Sequence, residues 1–141
     1  MSIQFAQKAI IVSGASILLV RKSVTDPHNP SCWELPGGRM KDGEGVDEHL
    51  RREIWEEVGL DVSPQEPVAL WSWLMERDGD VTTVVAVARR CSPVSGTLTG
   101  DNRDIDDHID AAEWVPFDQV LDRDLIPSQK AVLTDLVVGL G

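Results

Sequence analysis

Apolar positions along the chain follow two different periods, and the switch between them divides the sequence into elements. From Gln4 to Val12 and from Ala15 to Lys22, β-branched and aliphatic residues flank Ser13-Gly14. This predicts a strand, a tight turn and a second strand. SVTDPHNPSC follows, and its two prolines with Asp, Asn and Ser favour turns over a regular element. WELP is then a short extended piece that ends at Gly37-Gly38. From Val46 to Val58 the period changes: Leu50, Ile54 and Val58 recur at four-residue spacing and form one stripe of a helix. Gly59 supplies its stop. PVALWSWLME and VTTVVAVARRC flank RDGD, whose Asp78-Gly79 is a hairpin signal. An acidic loop runs on to Ala112. EWVPF reads as a short strand, residues 118–121 as a brief helical turn, and Ser128 to Leu140 as a closing amphipathic helix opened by Pro127-Ser128. Strands with two helices inserted among them predict an α/β layered sandwich around a mixed sheet.

Composition narrows the class. The 141 residues fit one domain, 1–141, large enough to bury a core without metal or disulfide staples. With 42% hydrophobic and 26% charged residues the usage is that of a soluble globular protein. The N-terminal stretch lacks a basic leader and a small-residue cleavage site, and Gln4, Lys8, Ser13 and Gly14 interrupt any spanning run, so no membrane partner is expected. Cys32 and Cys91 form no CxxC pair and read as reduced thiols of a cytoplasmic protein, which argues against zinc. A formal net charge of -11 repels a nucleic-acid duplex. It leaves room for a small phosphorylated substrate if bound cations reverse the local field.

The predicted helix raises a question of charge. Glu56 and Glu57 fall on either side of Glu53 on a helical wheel, oblique to the Leu50 and Ile54 stripe, so three carboxylates share one face. Like charges at such spacing are destabilising. One reading is a solvated face, with Arg52 pairing to Glu56 and Glu48 pairing to Arg51 or Arg52. The other is a site for a hard cation such as Mg²⁺, which takes oxygen ligands and substrate phosphates. The helix alone does not decide. The preceding loop adds Gly37-Gly38, which permits close backbone approach, and Glu44, placed to reach back toward the helix.

Taken together, these residues resemble the Nudix box. Gly38 is followed after five residues by Glu44, then after seven by Arg52-Glu53-Ile54, with Glu56-Glu57 and Gly59-Leu60 each one residue further on. WELPGG before it and EWVPFDQV near the end also look like that family's context. The resemblance implies the Nudix fold, an α/β/α sandwich around a mixed β-sheet. It also implies hydrolysis of a nucleoside diphosphate linked to another group, with Mg²⁺ or Mn²⁺ as cofactor and a small nucleotide as partner. By position, Glu53, Glu56 and Glu57 would bind metal, Glu44 would support them, and Arg52 would orient a neighbouring carboxylate. The Gly37 and Gly38 backbone would help hold the ion. The chain departs from the family's habit at Gly45, in place of a Ser or Thr cap, and at His49 and Leu50, in place of small alanines. Gly45 is an acceptable cap. His49 reads either as a packing residue or as a modifier of the site. Glu48 reads as a capping and ion-pairing residue.

Substrate choice lies outside the box. Asp107 and Glu113, in or beside the acidic loop, are candidates for an extra ligand or general base. Arg21, Lys22, Arg39 and Lys41 are candidate phosphate partners. Trp33 beside the glycines, or Trp71 and Trp73 on one strand face, offer flat surfaces for a base, although core or sheet packing is the preferred reading for them. The absence of tyrosine removes a residue associated with diadenosine polyphosphate members. The expected reaction is therefore that of MutT-type enzymes, a nucleoside triphosphate cut to a monophosphate and pyrophosphate. The alternatives are ADP-ribose or nucleotide-sugar hydrolysis, and a catalytically silent sensing module. Oligomeric state is open.

Overall fold

The computed structural model describes residues 2–140, so residues 1 and 141 of the expected 1–141 domain lie outside it. The chain runs β1 (Ser2–Ile10), β2 (Val12–Ser13), β3 (Ser16–Lys22), β4 (Trp33–Glu34), β5 (Gly37–Arg39), α1 (Val46–Val58), β6 (Leu60–Arg77), β7 (Asp80–Gly96), β8 (Ile109–Pro116) and α2 (Lys130–Leu140). Short 3₁₀ turns cover Ile105–Asp107, Phe117–Asp122 and Pro127–Gln129.

The strands form two four-stranded sheets rather than a single one. One has the order β5-β1-β7-β6, and in the other β3 pairs with β2, β4 and β8. β1 and β7 run parallel while their other partners are antiparallel, which makes the first sheet mixed. The residues of β3 explain where the helices sit. Ile17, Leu18, Leu19 and Val20 are all fully buried, the pattern of a strand covered on both faces. Ile17 and Leu19 pack with Leu133 and Val137 of α2. Leu18 and Val20 pack with Leu50, Ile54 and Val58 of α1. Period-two alternation thus sets the two helices on opposite faces, as the layered sandwich requires.

α1 has the bounds that its periodicity predicts, and Gly59 ends it in the left-handed region at φ 76°. The hairpin turns at Asp78 and Gly79, both at positive φ, as a two-residue turn demands. Its arms are longer than the apolar runs implied. Pro64 and Pro67 sit within β6, an edge strand where the missing N–H groups are tolerated and the register shifts around them. β8 likewise claims residues 109–112 from the expected acidic loop. Glu48 caps nothing, since Gly45 at the N-cap receives no side-chain bond. Nor does it pair as expected: Arg51 turns to Asp61, and Arg52 to Glu44, Glu53 and Glu56.

The glycines meet a sharper requirement than a loop. Gly37 and Gly38 lie in β5, opposite Lys8 and Gln7 of β1. A Cβ on Gly37 would stand 2.1 Å from the Gln7 carbonyl oxygen, and its φ of +139° is foreign to other residues.

Candidate active site

α1 buries its apolar stripe against the sheets, and this choice rotates Glu53 and Glu57 toward β5. Glu53 is 7% exposed and Glu57 3%; Glu56 is half-buried. The Gly37 N–H donates to Glu57 Oε1 at 2.9 Å. A Cβ on Gly38 would come within 2.8 Å of the Glu53 carboxylate, so hydrogen at that position is what lets the acid lie flat on the strand.

Arg52 ties the acids together. It donates to both Glu44 oxygens (Nε to Oε2 2.6 Å, Nη2 to Oε1 2.9 Å), and it lies 3.2 Å from both Glu53 and Glu56. Glu44 also accepts the Lys41 N–H at 2.9 Å. Glu44 thus reaches the acids through Arg52. These hydrogen bonds, those from Arg52 foremost, hold the Glu44 carboxyl down at about 2. Burial has the opposite effect on its neighbours: it raises Glu53 and pushes Glu57 up to about 8, with Lys8 working against the rise.

Asp107 completes the group. Glu53, Glu56 and Asp107 each offer an oxygen, and these lie within 4.8 Å of one another. The loop after β7 carries Asp107 there because it is fastened to the end of α1. That helix has no basic residue in its last turn, and its carbonyls accept instead from Arg103 Nε (Glu57, 2.8 Å), Asn102 Nδ2 (Trp55, 3.2 Å) and Thr99 N (Val58, 3.0 Å). Sequence reasoning passed over Arg103; the missing cation at the helix end was its signal.

The acids border a recess of about 740 Å³ that is also lined by Lys22, Gly37, Gly38, Arg39 and Lys41. A second recess of about 530 Å³ shares Lys22, Gly37, Gly38 and Arg39 with it and continues to Trp73, Met75 and Gln129. Lys8, Glu34 and Gln129 also line the second recess, and with Lys22 they form an ionic group of which the sequence reading singled out Lys22 alone. Lys8 Nζ contacts Glu34 Oε1 at 2.6 Å and Lys22 Nζ contacts Oε2 at 3.3 Å, while Gln129 Nε2 donates to Oε1 at 3.2 Å. Burial alone would raise the Glu34 carboxyl, but the two lysines hold it below its ordinary value. A lysine inside the apolar run KAIIV was the available sign of such a partner.

Three candidates fall elsewhere. Trp33 is packed in the core with Leu35, Val115 and Val120, with the guanidinium groups of Arg21 and Arg123 at 5.6 and 4.8 Å from its ring centroid. Strand alternation turns it inward, away from the recess. Arg21 bonds Asp110 at 2.8 Å, and Glu113 pairs with Arg123; both project from the paired strands β3 and β8. Arg39 remains at the recess and bonds Gln4 at 2.7 Å. Trp71 and Trp73 stack on one another, centroids 6.4 Å apart. His49 is wholly buried, and burial lowers its pKa.

Oxygen-only donors clustered at this separation suit a hard divalent cation. The raised carboxyls of Glu53 and Glu57 fit the same use, since a cation would replace the solvation that burial removes.

Comparison with known proteins agrees with this geometry. The family model described as the NUDIX domain matches residues 5–136. A putative 8-oxo-dGTP diphosphatase 2 of Mycobacterium tuberculosis is 30% identical over 131 residues, 90% of this chain and 86% of the relative. Among solved structures, the MutT protein from Methanosarcina mazei Go1 superposes with a TM-score of 0.76 at 21% identity, covering 97% of this chain and 94% of that one. An ADP-ribose pyrophosphatase from Streptococcus suis superposes with a TM-score of 0.69 at 22% identity, covering 97% and 89%. The two structural likenesses show the fold, and the family match with the mycobacterial relative shows the lineage: the chain belongs to the NUDIX family, whose enzymes hydrolyse phosphoric anhydride bonds.

Proposed function

We propose that this chain is a metal-dependent nucleotide pyrophosphohydrolase, acting as one domain, that cuts a nucleoside triphosphate or a close derivative to the monophosphate and pyrophosphate. The observation that carries the reading is the meeting of Glu53, Glu56 and Asp107 within 4.8 Å, beside a recess that opens into a second, partly aromatic one. The first has room and charge for a polyphosphate with its cation. The second offers Trp73 and Met75 to a nucleoside. The name of the mycobacterial relative supports a purine triphosphate.

Glu53, Glu56 and Asp107 would hold Mg²⁺ or Mn²⁺, with Glu57 behind them and the β5 backbone alongside. The ion supplies charge neutralisation at the phosphate and a more acidic water. Arg52 keeps Glu44, Glu53 and Glu56 in place against their mutual repulsion. Lys22, Arg39 and Lys41 line the recess wall, where they would meet phosphate oxygens. Of the two roles open to it, extra ligand or general base, Asp107 takes the first in this reading, with Oδ2 held by the Asp104 N–H at 3.0 Å. Free Cys32 and Cys91 fit a reducing cytoplasm.

The test is a panel of nucleotides with Mg²⁺ and mass-resolved products. Monophosphate and pyrophosphate from a triphosphate are expected, with the rate largely lost in Glu57→Gln at unchanged fold. Two monophosphate-level products from ADP-ribose, with triphosphates untouched, would move the assignment to the dinucleotide-type members. No turnover on any diphosphate-linked compound would overturn it.

A further inference from the structure

His49 lies one turn before Glu53 on α1 and is wholly buried. Its Nδ1 is 2.9 Å from Gln7 Nε2. The partners of Gln7 decide which ring nitrogen carries the proton. Arg89 Nη1 donates to Gln7 Oε1 at 3.3 Å, which fixes the orientation of the amide, and Asp47 holds Arg89 at 2.7 Å. Gln7 Nε2 donates one hydrogen to the Val46 carbonyl at 2.7 Å and turns the other to His49 Nδ1. Nδ1 is therefore an acceptor. An imidazolium would set two donors against each other, so the ring is neutral, with its proton on Nε2.

That Nε2–H is buried and makes no hydrogen bond; the Gly38 and Arg39 carbonyls of β5 act on the ring from one side. Glu53 Oε1, on the next turn, is 4.0 Å away. A buried donor left unpaired is costly, and a closure of about 1 Å brings the pair to hydrogen-bond distance. The same oxygen already faces Arg52 Nη2 at 3.2 Å. Gly38, pressed on the carboxylate from β5, restricts its escape on the other side.

We infer that His49 is a positioning residue for Glu53: its neutral Nε2–H, locked by the Asp47–Arg89–Gln7 relay, holds Oε1 from behind and keeps the carboxylate presented to the cation. The inference rests on the reading of Glu53 as a cation ligand. Partners that orient metal-binding carboxylates typically contribute 10- to 100-fold in metal affinity, and that is the effect expected here.

The test uses the intact chain and Mn²⁺ alone, followed by the electron paramagnetic resonance of the free ion, with ¹⁵N shifts of the His49 ring recorded without metal. The ring spectrum should show a protonated Nε2 and a bare Nδ1. His49→Leu, which fills the space without a donor, should bind Mn²⁺ about 10- to 100-fold more weakly. His49→Gln, whose amide N–H reaches the place of Nε2, should recover much of the loss. A proton on Nδ1, a His49→Leu affinity equal to wild type, or a His49→Gln no better than His49→Leu overturns the inference while leaving Glu53 as a ligand. A wild-type chain that takes up no Mn²⁺ removes both. Should His49→Leu not fold, Gln7→Leu frees Nδ1 and leaves the ring intact. It should spread the proton over both nitrogens and weaken Mn²⁺ binding; unchanged spectra and affinity overturn the inference.

Discussion

Gly38→Ala separates the demands of the site from those of the fold. Gly38 lies in β5 outside the positive-φ region, so the backbone accepts alanine. The new methyl would stand 2.8 Å from the Glu53 carboxyl carbon, against ordinary carbon contacts of about 3.5–4.0 Å. The obstacle is the far end of a side chain, so the carboxylate retreats by about 1 Å and the strand stays. A displacement of that size at a reacting centre costs about 10²-fold in rate, or about 2.7 kcal/mol of transition-state stabilisation. Overpacking lowers stability by about 1–3 kcal/mol. Gly37→Ala is the control: its Cβ would strike the Gln7 backbone oxygen at 2.1 Å with φ at +139°, and β5 itself has to give way. Steady-state kinetics on the preferred triphosphate and urea unfolding of both variants should show Gly38→Ala folded and slow, Gly37→Ala weakly folded. If Gly38→Ala retains its rate within threefold, or unfolds as readily as Gly37→Ala, the contact with Glu53 does not control the site.

Titration gives a second prediction. Glu57 sits at about 8 when folded against an ordinary 4.5, so the metal-free folded chain keeps a proton that the unfolded chain has released. Its contribution is complete below pH 4.5 and lost as pH rises toward 8, on the order of 5 kcal/mol at the limit. Urea midpoints of metal-free protein should fall across that window, and Glu57→Gln should flatten the fall; equal slopes would refute the assignment. Arg52→Lys forfeits the two-pronged bond to Glu44 and should slow turnover about 10- to 100-fold with little change in thermal midpoint. Asp107→Asn should lower kcat, whereas Glu113→Gln and Arg21→Ala, whose side chains are engaged with Arg123 and Asp110, should leave kcat and KM within about twofold, in line with substitutions away from the site. Leu50→Ala, on the buried stripe of α1, should cost about 2–5 kcal/mol of stability by chemical denaturation.

What could be read in the sequence was what local spacing encodes. α1, its glycine stop and the Asp78-Gly79 turn follow from periodicity and turn chemistry; of the three acids expected to act together, Glu53 and Glu56 do cluster, but with Asp107, while Glu57 turns to the Gly37 N–H. What could not be read depends on partners distant in sequence. Gly37-Gly38 reads as a loop until β1 arrives to pair with it. Trp33 adjoins the glycines in sequence but alternates to the opposite face, into the core. Asp107 could not be told from its acidic neighbours, because the difference lies in Arg103 and Asn102, which pin its loop to the end of α1. Lys8 interrupts an apolar strand in the sequence, yet it neutralises Glu34 from 26 residues away.

The acids are not equivalent, and the difference follows from which compensation each receives. Glu44, given a two-pronged arginine and a backbone N–H, stays charged at low pH. Glu57, buried with one N–H and with Lys8 acting from a distance, favours its proton near neutrality. Glu53 lies between them, raised by burial and drawn back by Arg52. A cation entering beside Glu53, Glu56 and Asp107 would therefore meet charge already present at the rim and draw more from the interior, with a proton leaving Glu57 as it binds. Metal affinity should then climb with pH up to about 8. Calorimetry in buffers of different ionisation enthalpy should register close to one proton released per binding event near pH 6–7 and none in Glu57→Gln. Proton release that survives that substitution would place the titrating group elsewhere and remove Glu57 from the coupling.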